Sequence, residues 1–164
     1  MGDNIQSDES SRVPPMHPLE QHLLDTFHLD RLTLHRLALF MLAHTLIDRH
    51  LILTVGLDVM RKQGGVDKLT DAEADAVIDA VAEGTFGCHL QKANNGGLLP
   101  DQAQRTAREM NKARNGFLHW KRKRFSIPHY NGHDITSDIG FERCMTDSLK
   151  FLAEVPFGET LPNE

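Results

Sequence analysis

The chain has 164 residues, of which 40% are hydrophobic and 25% charged, with a net charge of −5. That predicts one domain with tails, large enough to bury a core without disulfide or metal staples. Its two cysteines, Cys88 and Cys144, form no CxxC pair, which argues for two small buried thiols in a reducing compartment.

Residues 1–18 are polar and contain proline without an apolar signal core, so a disordered tail and a cytoplasmic location are expected. A long helical region follows over about 19–62, interrupted near His28–Asp30. Its second part carries Leu32, Leu39, Leu42, Leu46, Leu53 and Leu57 among other apolar residues. They are too many for one narrow stripe, so this helix should pack on several faces or against a second chain. The apolar stretch Leu37 to Ala43 is bracketed by Arg36 and His44, with Asp48, Arg49 and His50 close behind; no membrane span is expected.

Gln63-Gly64-Gly65 ends the long helix. Thr70-Asp71-Ala72-Glu73 reads as a capping box opening a short helix to about Ala82. Gly84 breaks it, and Thr85 can cap another of two or three turns, ending before Asn94-Asn95-Gly96-Gly97. Pro100-Asp101 starts a long basic helix that should reach His119 or slightly further. Ser126 to Asp134 is loop-like, with Pro128, Asn131 and Gly132. A last amphipathic helix over Ser137 to Glu154 is expected to face the core with Phe141, Met145, Leu149 and Leu152. No segment shows a convincing strand period. The fold class is all-α, a bundle of four to five main helices over residues 19–155 with a C-terminal tail over 156–164.

Ten histidines are many for this length. His44 and Asp48 lie four apart, His50 is near that face, and His129, His133 and Asp134 share a loop. Neither set completes a motif such as HExxH. They read as core-edge and surface histidines, with no metal and no cofactor expected.

Charge is strongly segregated. Between Arg105 and Arg124 eight cations, Arg105, Arg108, Lys112, Arg114, Lys121, Arg122, Lys123 and Arg124, face Glu109 alone, a local +7 in a chain of net −5. An anion should land here. Within it, Arg114-Asn115-Gly116-Phe117-Leu118-His119 offers a permanent cation, an amide and a titratable imidazole. These suit phosphodiester chemistry without a metal: Arg holds the phosphate, His moves a proton and Asn orients either. On an ideal helix Asn115 and His119 share a face, whereas Arg114 reaches round or is completed by the same helix of a second chain. Gly116 allows close backbone approach at such an axis. A plain helix end also attracts Arg and His. Lys121–Arg124 reads equally well as a solvated helix end or an RNA-facing patch, with Trp120 available to stack on unpaired bases.

The passage Thr85-Phe86-Gly87-Cys88-His89-Leu90, then Gly97-Leu98-Leu99-Pro100, then Ala113 to His119 resembles the HEPN superfamily. There a short "TFG-x-x-L" helix leads through a "GLLP" turn into a long helix ending in Arg-x4–6-His. The resemblance covers roughly residues 30–154, its specific part 85–119. It implies a HEPN-like helical bundle and a homodimer with facing Arg–His motifs. It also implies a metal-independent endoribonuclease with Arg114, Asn115 and His119 catalytic. RNA would be held by Lys121, Arg122, Lys123, Arg124, Arg108, Lys112 and Trp120. Many members are toxins beside a nucleotidyltransferase antitoxin, or effectors of defence systems. In the subgroup whose toxin is adenylylated, Tyr stands two positions after the His; here that position is Lys121, a departure from the pattern. Other members are non-catalytic modules binding a partner protein, nucleotide or RNA. A purely structural helical dimer is the remaining alternative.

Overall fold

A computed structural model describes residues 16–118 and 127–155. Among them the chain is mostly helical: six α-helices and one short β-ribbon. Helix α1 (Pro18–Phe27) starts on proline, with the His17 ring accepting from the Leu19 amide, and ends at His28 in the left-handed region, φ 51°. Asp30 then caps α2 (Arg31–Lys62), accepting from the Thr33 amide at 2.8 Å. The break expected at His28–Asp30 is therefore a cap-to-cap junction.

Helix α2 is the axis of the fold, with α3 (Asp71–Ala82), α4 (Phe86–Asn95), α5 (Asp101–Leu118) and α6 (Asp138–Glu154) all packed against it. Leu37, Phe40, Ile47, Leu51, Val55 and Met60 bury its apolar side, yet His44, His50, Thr54 and Asp58 are buried too. Burial on several faces is what the apolar excess required. By length and composition alone α2 is long and apolar enough to cross a membrane, a test that the core helix of a bundle also passes. In the fold 44% of its most apolar window is buried.

The capping box at Thr70 and Glu73 forms as expected. Thr85 caps α4 through the Cys88 amide, and α4 runs on through Asn95 rather than stopping before Asn94. Cys88 is exposed, not buried; only Cys144 is, and both thiols are free. The reason is phase: Phe86, His89, Leu90 and Ala93 take the buried face of α4, which turns Cys88 outward.

Two further expectations are corrected. The loop before α6 contains an antiparallel ribbon, β1 (His129–Tyr130) with β2 (His133–Asp134). Asn131 and Gly132 both have positive φ, 49° and 80°, the conformation a tight Asn-Gly hairpin needs. Tyr130 is fully buried and donates to Asp147 at 2.9 Å. On α6 the fully buried residues are Gly140, Cys144, Ser148 and Phe151; of the expected set Met145 and Leu152 are partly buried against the core, whereas Leu149 is 68% exposed. Small residues win that face because the ribbon comes so close: a Cβ on Gly140 would collide with the Asp134 carbonyl. Arg36 ties α2 to this corner, bonding the Thr136 carbonyl and Asp138 and lying over the Phe141 ring. At the other end His50 donates to the Val155 carbonyl at 2.8 Å. Of the expected tails, 1–15 and 156–164 lie outside the described residues.

Candidate active site

On α5 the apolar and small residues Ala103, Ala107, Met110 and Ala113 bury one side, while Asn111, Arg114 and Asn115 follow at spacings of three and four. That spacing brings the three polar side chains onto one edge of the helix. Asn115 donates to Asn111 and receives the Arg114 Nη1 donor, each at 3.3 Å. Arg114 borders the buried side and is half-buried. Its Nε is fully buried and has no hydrogen-bond partner. Among the described residues no carboxylate lies within ion-pair distance of it.

The segment Thr85–His89 builds the opposite wall. Thr85 caps α4 and fixes its first turn. Phe86, at that turn, stacks on the His44 ring of α2, centroids 4.4 Å apart and planes at 29°. Gly87 faces Asn111, whose amide nitrogen lies 3.8 Å from where a Cβ would stand. His89, 1% exposed, reaches Asp48 with Nδ1 at 2.7 Å and the Val81 carbonyl with Nε2 at 3.0 Å. Gly84 makes room for that ring: a Cβ there would sit 2.9 Å from Nε2. Both ring nitrogens of His89 face acceptors; Asp48 meets it through Oδ1, and its side chain stays 28% exposed.

His44 stands one turn before Asp48 and is 6% exposed. Its pKa is pushed down to about 4, first by burial and then by the positive charge of Arg114, against a smaller opposing pull from Asp48. It is therefore a neutral imidazole at neutral pH. Like Arg114 Nε, its Nε2 is fully buried without a partner. The result is a polar seam between α2, α4 and α5 with a cation, a neutral imidazole and two amides. Such a seam can hold an anion and supply or receive a proton beside it.

Of the residues expected to be functional, Arg114 and Asn115 come together. Arg108 and Lys112 do not join them: both are exposed and lie roughly 120° and 160° round the helix from Arg114. Lys112 pairs with Glu109 at 3.6 Å and Arg108 touches Gln104 at 3.5 Å. His119, Trp120, Lys121, Arg122, Lys123 and Arg124 lie outside the described residues. His44, Asp48, His89 and Asn111 were not expected at this site. The His44–Asp48 spacing was the signal for the first two; Asn111 had one too, four residues before Asn115. Among the described residues no group of three or more His, Cys, Asp or Glu side chains could hold a metal ion. Compared with known proteins, the chain matches no family model, no curated protein and no solved structure.

Proposed function

We propose that this protein is a metal-independent endoribonuclease of the HEPN type, acting as a homodimer in the cytoplasm, with a toxin or defence effector as its biological setting. The observation that carries this reading is Arg114: a half-buried guanidinium with no carboxylate partner among the described residues, on the helix that leads directly to His119. A guanidinium in that state is poised for an anion, and a planar fork of donors suits phosphate oxygens.

In this mechanism the 2′-hydroxyl loses its proton to a base and attacks the adjacent phosphorus. The 5′-oxygen departs with a proton from an acid, leaving a 2′,3′-cyclic phosphate and a free 5′-hydroxyl. His119 serves as one of these proton-transfer groups, since an imidazole titrates near pH 6.5. Arg114 stabilises the charge that builds on the non-bridging oxygens. Asn115, already bonded to Arg114, orients the guanidinium. Lys121–Arg124 draw in the RNA backbone, Trp120 stacks on a base, and Arg108 and Lys112 extend the basic surface. A nucleotidyltransferase antitoxin is the partner this setting suggests.

The test is RNA cleavage in excess chelator. Wild type should cut and leave 2′,3′-cyclic ends. His119→Ala should lose about 10²–10⁴-fold in rate while staying folded, and Arg114→Ala about 10²–10³-fold. Neutralising Lys121–Arg124 should weaken binding and flatten its salt dependence, with the chemical step little changed. Cleavage unaffected by His119→Ala sinks the proposal. If partner-free wild type cuts no RNA, the protein is a binding module on the same fold.

A further inference from the structure

Buried polar atoms without a partner are rare in native proteins. Four side-chain atoms are in that condition among the described residues, and two of them, His44 Nε2 and Arg114 Nε, belong to the same seam. Arg114 is near enough for its charge to disfavour a proton on His44. They come from different helices, α2 and α5, and the stack on Phe86 fixes the plane of the His44 ring between them.

Among the described residues no carboxylate lies within ion-pair distance of Arg114. The charged groups that bear on His44 are Arg114 from α5 and Asp48 one turn along α2. From α4 it meets Phe86, while His89 occupies Asp48 at 2.7 Å. One oxygen of Asp48 is thus bonded to α4, and the charge of Arg114 acts on a neutral ring. Arg Nε–H can only donate, and neutral histidine has one N–H to give. Two unpartnered donors in one seam, one of them carrying a positive charge, complement an oxygen anion.

We propose that His44 is a second phosphate-binding residue of this site, its Nε2–H and the Arg114 guanidinium holding oxygens of one phosphodiester. The identity of that diester as RNA rests on the endoribonuclease reading; the anion site itself does not. Binding also couples to protonation. An anion between the two side chains cancels the repulsion from Arg114 and favours a proton on His44, so binding raises its titration midpoint.

The experiment follows the His44 ring by NMR in the full-length protein. Its titration is recorded alone, with inorganic phosphate, and with a 2′-deoxydinucleoside phosphate, which cannot cyclise. Both ligands should raise the His44 midpoint by about one pH unit or more. Arg114→Gln should raise it without ligand and abolish the ligand effect. His44→Phe keeps the stack on Phe86 and should weaken phosphate binding about tenfold, whereas His44→Gln, which restores a donor, should recover part of the loss. The wild-type titration needs no variant to fold. Phosphate that binds without moving the His44 midpoint overturns the inference, as does wild-type phosphate affinity in folded His44→Phe. RNA cleavage lost on His119→Ala beside an unmoved His44 leaves the nuclease and removes this site. A phosphate-coupled His44 in a protein that cuts no RNA does the reverse.

Discussion

His44 shows how much one residue's surroundings decide. Its proton is disfavoured mainly by burial and next by Arg114, so the folded protein protonates it near pH 4 while the unfolded chain does so near 6.5. The unfolded state therefore binds more protons as pH falls between those values. The stability due to a neutral His44 is complete above about pH 6.5 and is lost progressively down to about pH 4. Allowing for solvent screening, the loss is on the order of 1–2 kcal/mol. Equilibrium denaturation of wild type and His44→Phe at pH 7 and pH 4.5 checks it: the variant should lose less stability on acidification, and an equal loss in both refutes the account. His50, also held down by burial, adds to the wild-type slope in the same sense and remains in the variant. The sequence made the His44–Asp48 pairing visible through its spacing of four. It could not show that Asp48 bonds across to His89, or that Arg114 stands beside His44, because those contacts depend on how three helices are set against one another. Arg114 and Asn115 were legible for a simpler reason: a local motif needs only its own helix.

At the scale of elements, local chemistry was read well and helix phase less well. The caps expected at Thr70 and Thr85 form through side-chain oxygens bonded to backbone amides a few residues on, as do unexpected caps at Asp30 and Ser137. Helix α6 is different. Its large residues Phe141, Met145, Leu149 and Leu152 suggest one core face; Met145 and Leu152 do pack against the core, but the close approach of the ribbon centres the buried face on Gly140 and leaves Leu149 exposed. Hydrophobic size points one way and available space the other; space prevails at Gly140. Gly140→Ala should therefore destabilise the protein by about 2–3 kcal/mol, as overpacking against backbone does. Gly116→Ala is the matched control, since no described residue lies within 4 Å of its Cβ position. Taken on its own chain, that change should be neutral or stabilise α5 by up to about 1 kcal/mol through helix propensity. Thermal or urea denaturation of the two variants separates the cases, and a stable Gly140→Ala protein contradicts the packing argument.

Across the whole molecule, the basic segment 105–124 stands out against an otherwise acidic chain, and α2 still shows apolar surface after the bundle has closed. Leu42 and Leu46, one turn apart, are 53% and 44% exposed, and Leu32 is 56% exposed. The proposed homodimer would account for both: it would cover apolar surface and let two α5 helices present their Arg114 groups to one RNA strand. Gly116 is exposed, with open space beside its Cα, so a second helix can approach the backbone there more closely than any side chain would allow. The proposal makes opposite demands on Gly116→Ala in the two assembly states. If α5 meets its symmetry mate at Gly116, the added methyl should weaken the dimer at least about tenfold, roughly the 1.4 kcal/mol of a poor contact, and lower cleavage in step with dissociation. If the chain works alone, the same methyl touches nothing and changes neither. Sedimentation equilibrium of wild type and Gly116→Ala at micromolar concentration, read beside their cleavage rates, distinguishes the two. A wild-type monomer ends the dimer proposal outright, and a dimer indifferent to Gly116→Ala moves its axis away from α5, where the exposed leucines of α2 become the surface to mutate next.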